Sequence, residues 1–277
     1  MTYVLVGGAA RSGTTLLYGV LCSGRQTNPV LFETHLFSHL LTAYSHARYR
    51  FEHVDNGQFF SDADTLRDFF SRPLVEFFEL VRARYGSPPH LVLKSTVFTP
   101  YAAHALDLIA DCRVIVSVRD PRDIVASKLE VEASQGKAAL GHHTEADVGR
   151  VAAVVMRDYQ KCLRALPHDR LHFVRYEDLV SVPHEVVSRL SAWTGIDLSG
   201  FDPSHAWANS LRDFEADRAR GSAYVTDRFG KGISDQRVGR YRRVLRPADV
   251  RLVETICDVL MTAFRYRSQE PGHPEAG

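Results

Sequence analysis

The chain has 277 residues, with 34 Lys and Arg against 33 Asp and Glu, and a formal net charge of +1 argues against a general nucleic-acid binder. Apolar residues make up 45% and charged residues 24%, the balance of a soluble globular protein rather than a disordered chain. The cysteines Cys22, Cys112, Cys162 and Cys257 are scattered without metal-type or dense disulfide spacing, so reduced thiols are expected. No apolar run reaches the ~18 residues of a membrane span. The run Tyr3–Val6 is too short for a signal peptide and is cut off by Gly7-Gly8. A cytoplasmic protein is the expectation.

In chain order, Tyr3–Val6 predicts a first strand, followed by helices at 14–23, 34–48 and 62–84. The third of these carries Leu66, Phe69, Phe70, Leu74, Phe77, Phe78 and Val81 at three- and four-residue spacing, which predicts a buried apolar face rather than an acceptor pocket. Leu91–Leu93 predicts a strand, 99–110 a helix, Arg113–Val118 a strand, 121–132 and 144–165 helices, Leu171–Val174 a strand and 183–194 a helix. Gln135–His143 and Gly221–Asp235 read as glycine-containing loops. His142-His143 has no third ligand at metal spacing and reads as polar loop. Strand–helix alternation implies an α/β fold with a central, mainly parallel sheet flanked by helices. One domain over 1–267 and a frayed tail over 268–277 are expected.

Gly8-Ala9-Ala10-Arg11-Ser12-Gly13-Thr14-Thr15 directly follows the first predicted strand and opens the first predicted helix. Backbone N–H groups of such a turn, together with the positive end of a helix, make an anion site, to which Ser12, Thr14 and Thr15 add hydroxyls. The placement is P-loop-like, yet Thr14 stands where a nucleoside triphosphatase needs lysine, and the nearest cation is Arg11. The loop therefore suits a 5′-phosphate that carries something other than a polyphosphate.

A second strand–helix junction runs from Val114 to Ser127. Asp120 suits the cap and Pro121 the first helical position, while Arg119 leaves the strand end and Ser127 lies two turns along. Two anion sites on neighbouring strands point to a nucleotide with two separate phosphates, of which a 3′,5′-bisphosphate is the best-known case.

At these residues the chain resembles sulfotransferases that use 3′-phosphoadenosine-5′-phosphosulfate (PAPS), nearer to the bacterial and tyrosylprotein branch than to the cytosolic steroid and phenol group. Arg11-Ser12-Gly13-Thr14-Thr15 resembles their 5′-phosphosulfate loop, and Arg119 through Ser127 their 3′-phosphate motif. The resemblance implies a catalytic glutamate at Glu33, a second catalytic cation at Lys94, nucleotide contact at Tyr176, and a closing segment with Ser234, Arg237 and Arg240. It implies in-line sulfonyl transfer to a hydroxyl, with Glu33 as general base and His35 in reserve, and with Arg11 and Lys94 stabilising the charge that develops. The sulfonyl group carries one negative charge, so no metal is required. No luminal anchor or peptide-binding part matches the tyrosylprotein enzymes, so the acceptor is expected to be a small molecule; its identity and the oligomeric state stay open. The rivals are a P-loop kinase and a non-catalytic nucleotide-binding protein on the same fold.

Overall fold

Four short apolar segments pair into one sheet because each is covered on both faces. The computed structural model describes residues 1–55, 57–135, 143–207, 209–211 and 230–267. The strands are β1 (Thr2–Gly7), β2 (His90–Lys94), β3 (Cys112–Val118) and β4 (Leu171–Arg175), each one or two residues longer than expected. All pairings are parallel, in the order β2-β1-β3-β4. Side chains on a strand alternate between faces, and the core divides accordingly. Tyr3 and Leu5 join Val114, Val116 and Val118 in one cluster, whereas Val4 and Val6 join Ile115 in another on the opposite face. The chain steps from β1 outward to β2, then back across to β3. The carboxyl ends of β1 and β3 therefore flank the topological switch point, where ligands of open α/β sheets bind.

The helices are α1 (Thr14–Cys22), α2 (Leu36–Arg50, continued by a π turn to Asp55), α3 (Ala63–Arg84), α4 (Ala102–Leu108), α5 (Pro121–Ser134), α6 (Glu145–Leu163), α7 (Tyr176–Ser181) and α8 (Pro183–Thr194). They are followed by α9 (Tyr241–Val244), α10 (Pro247–Ile256) and α11 (Asp258–Ala263). The expected helix at 99–110 begins as a 3-10 turn at Thr99–Tyr101. In α3, Leu66, Leu74 and Phe78 are buried as the apolar stripe implied, but Phe69 is 58% exposed. Among the described residues no helix is long and apolar enough to cross a membrane. Residues 136–142, 221–229 and the 268–277 tail lie outside the described residues.

His143 departs from the expected polar loop: it is buried, and its Nε2 lies 3.1 Å from Asp249 Oδ2. Asp249, fully buried at the start of α10, also accepts from Arg246 Nε and Nη2, each at 2.8 Å. These bonds, Arg246 foremost, pull the Asp249 pKa down to about 2. A depressed carboxylate stabilises the fold above its ordinary value near ~3.9, and that contribution is lost as pH falls towards the folded value. Asp249→Asn is expected to cost about 2 kcal/mol at neutral pH. Its deficit shrinks towards pH 2 in denaturant titrations; an equal deficit at both ends would refute the assignment.

Candidate functional site

The turn after β1 is bent by necessity. Gly8 has φ 135, and a Cβ there would lie 2.4 Å from the Ser117 carbonyl of β3. Three side chains pin the turn. Gly8 N–H donates to Thr99 Oγ1 (2.8 Å), Ala9 N–H to the Tyr159 hydroxyl (3.1 Å), and Ser117 Oγ donates to the Ser12 carbonyl (2.7 Å). Arg11 stands in the left-handed region at φ 78, strain of the kind that clusters at functional sites. Gly13, at φ 93, starts α1 with no side-chain cap bond, leaving the helix's first amides to an anion. Tyr176, at the start of α7, packs so closely that a Cβ on Gly13 would meet its ring at 2.4 Å.

Beside this turn, β3 delivers Arg119. Asp120 caps α5 by accepting from Arg122 N–H at 2.9 Å. Arg119 is buried; its Nη1 donates to the Arg11 carbonyl at 3.2 Å and its Nη2 to the Arg237 carbonyl. Its guanidinium also lies over the Tyr176 ring at 4.6 Å and 3.5 Å from Asp123 Oδ2. Arg119 Nε is buried and finds no acceptor among the described residues. Arg11 Nε donates to Ser127 Oγ at 3.1 Å. Arg11, Arg119, Ser127, Gly13 and Tyr176, separated by up to 165 positions in sequence, thus form one cluster. Burial lowers the Arg11 pKa, and the like charges of Arg119 and Arg237 lower it further. Converging, partly desolvated guanidiniums and a donor without an acceptor fit a phosphate.

On the β2 side stands a second group. Register pairs Val6 of β1 with Lys94, the last residue of β2, so Lys94 emerges level with the turn. Its Nζ lies 2.6 Å from Glu33 Oε2 and 3.4 Å from Thr15 Oγ1. Glu33 Oε1 accepts from Thr96 N–H (2.6 Å) and Thr96 Oγ1 (3.1 Å). Glu33 sits in the irregular stretch before α2 rather than at the edge of the helix expected from residue 34. Burial pushes its pKa up, but the Lys94 charge and the bonds from Lys94 and Thr96 outweigh that and hold it below the ordinary carboxylate range. His35 is exposed, with Nδ1 3.3 Å from Ser95 Oγ, which is 2.9 Å from Ser38 Oγ. Ser12 and Thr14 are buried inside the turn.

The C-terminal segment meets this site through α5. Asp123 accepts from Gly239 N–H and Tyr241 N–H, both at 2.8 Å. Glu130 holds Arg240 at 2.6 Å and lies 3.8 Å from Arg237. Ser234 opens the segment, its Oγ accepting from Gln236 N–H at 3.3 Å. Arg242 and Arg243 are exposed. Thr96, Thr99, Asp123, Glu130 and Tyr159 were not anticipated. Asp123 and Glu130 carried a legible signal, since they flank Ser127 at four- and three-residue spacing on one helix face.

A family model described as the sulfotransferase family matches residues 4–200. The chain belongs to the sulfotransferase family. Carbohydrate sulfotransferase 5 of Mus musculus is 28% identical over 209 residues, covering 69% of this chain and 51% of that protein. Carbohydrate sulfotransferase 6 of Homo sapiens is 27% identical over 208 residues, with the same coverage of 69% and 51%. This sulfotransferase-family chain thus spans about half the length of the curated relatives it matches. Among solved structures, a sulfotransferase domain from the curacin biosynthetic pathway aligns with a TM-score of 0.58 at 17% identity, over 94% of this chain and 98% of that one. The sulfotransferase domain of the Synechococcus PCC 7002 olefin synthase aligns with a TM-score of 0.57 at 18% identity, over 93% and 94%. At these identities the likeness shows a shared P-loop-like fold, as expected.

Proposed function

We propose that this member of the sulfotransferase family moves the sulfonyl group of PAPS to a hydroxyl of a small-molecule acceptor, with Glu33 as the general base. The observation that carries the donor assignment is the gathering of Arg11, Arg119 and Ser127 at the switch point, beside the uncapped start of α1. Arg119 and Ser127 would hold the nucleotide's 3′-phosphate, while the amides of the 8–15 turn and the hydroxyls of Thr14 and Thr15 would hold the 5′-phosphate. PAPS, when bound, supplies the sulfonyl group. Lys94, level with the turn, would stabilise charge developing on the departing phosphate oxygen, with Arg11 adding positive charge from the other side.

Glu33 is fixed by Lys94 and Thr96, whose charge and bonds hold its carboxyl below the ordinary carboxylate range. It would receive the acceptor's proton as the acceptor oxygen bonds to sulfur and the sulfur–phosphate oxygen bond breaks. His35, with Nδ1 3.3 Å from Ser95 Oγ, is the reserve base. The kinase rival lacks its phosphate lysine, since Thr14 occupies that position. The names of the curated relatives make a carbohydrate hydroxyl the first acceptor class to test. Incubation with PAPS and a panel of sugars, alcohols and phenols, read by mass, is expected to yield a sulfonated product and 3′-phosphoadenosine-5′-phosphate (PAP). Binding of PAP without product from any acceptor class would leave a nucleotide-binding protein and overturn the enzymatic reading.

A further inference from the structure

Helix α5 turns one more charged residue towards the donor site. Asp123, Ser127 and Glu130 fall at i, i+4 and i+7, a single helical face. The first two have evident tasks: Asp123 anchors the backbone of the 239–241 segment, and Ser127 accepts from Arg11. Glu130 does something different, because it binds side chains rather than backbone. Its carboxylate accepts from Arg240 Nε at 2.9 and 3.1 Å and from Nη2 at 2.6 Å, with Arg237 Nη1 3.8 Å away. The Glu130 side chain is only 16% exposed, so these ion pairs are partly shielded from water. Its charge reaches Arg11 as well, where it opposes the depression caused by burial and by Arg119 and Arg237.

We propose that Glu130 is an affinity-setting counter-anion of the donor site, holding Arg237 and Arg240 in the nucleotide-free protein and yielding them to the incoming 3′-phosphate. The inference rests on reading the site as one for a 3′,5′-bisphosphonucleotide. While no nucleotide is bound, the resident carboxylate offsets part of the guanidinium charge. A phosphate brings more negative charge and three acceptor oxygens, so it outcompetes one carboxylate, whereas a nucleotide without a 3′-phosphate does not. Once phosphate is bound, Glu130 faces it as a like charge and weakens it. Donor affinity is therefore an exchange of anions, and its cost falls on nucleotides that carry a 3′-phosphate.

The test is titration calorimetry of PAP and of AMP with wild type and Glu130→Gln. Glutamine keeps the size and one acceptor but removes the charge. Glu130→Gln is expected to tighten PAP by about fivefold or more and to leave AMP nearly unchanged. Unchanged or weaker PAP binding by Glu130→Gln, with wild type binding normally, would overturn the exchange alone. Failure of wild type to bind PAP would instead overturn the donor reading. If Glu130→Gln does not fold, Glu130→Asp retracts the charge by one methylene and is expected to tighten PAP by a smaller factor; equal or weaker binding again refutes the proposal.

Discussion

Glu33→Gln is expected to lower kcat by about 10²–10³ while PAP affinity stays within about threefold of wild type. The carboxylate makes its bonds to Lys94 and Thr96, not to the arginine cluster, so the loss belongs to chemistry rather than to nucleotide binding. Lys94→Met should lose a comparable factor, and it carries a second signature in pH. In the intact protein Glu33 is held below the ordinary carboxylate range, so the base form persists as pH falls and the acid limb of kcat/KM lies below that range. Without Lys94, burial is left opposed only by the Thr96 bonds, so the Glu33 pKa rises and the acid limb moves to higher pH. Near-normal turnover by Glu33→Gln would remove it as base. An acid limb unmoved by Lys94→Met would separate the observed rate from this ion pair.

Gly13→Ala is expected to abolish measurable PAP binding at concentrations that saturate wild type. Two costs combine. The residue's φ of 93 penalises any side chain by about 1–2 kcal/mol. The added Cβ would also stand 2.4 Å from the Tyr176 ring, itself stacked on Arg119 at 4.6 Å. Relief requires moving α7 or the start of α1, and either motion misaims the amides and the arginine together. Gly13→Ala/Tyr176→Ala removes the clash but not the backbone strain, so it should bind PAP better than Gly13→Ala and worse than wild type. Calorimetry on the two variants, with melting curves to confirm folding, checks this; full affinity in Gly13→Ala would contradict it.

The sheet was readable because strands covered on both faces are continuous apolar runs, and Tyr3–Val6 and Arg113–Val118 are such runs between helical periods. The two strand–helix junctions were readable from local order alone: strand, glycine turn, helix for Arg11, and strand, capped helix for Arg119. What brings them together was not. Tyr159 comes from α6 and Thr99 from the turn before α4, and each reaches the 8–15 loop through contacts that no local pattern encodes. The Glu33–Lys94 pair joins an irregular stretch to the end of β2, a long-range pairing rather than a motif. The short helices α7, α9 and α11 span six residues or fewer, too few turns to show a period. His143 was misread because its partner Asp249 lies 106 positions away.

Calorimetric titration of PAP in the presence of a chelator, beside AMP and magnesium ATP, tests the proposed pair of anion sites most directly. Arg119 after β3, Ser127 within α5 and the Arg11 turn after β1 should bind PAP without metal and discriminate against AMP by about 100-fold, the loss of several charge-assisted bonds. Binding of AMP or magnesium ATP as tight as that of PAP would contradict it.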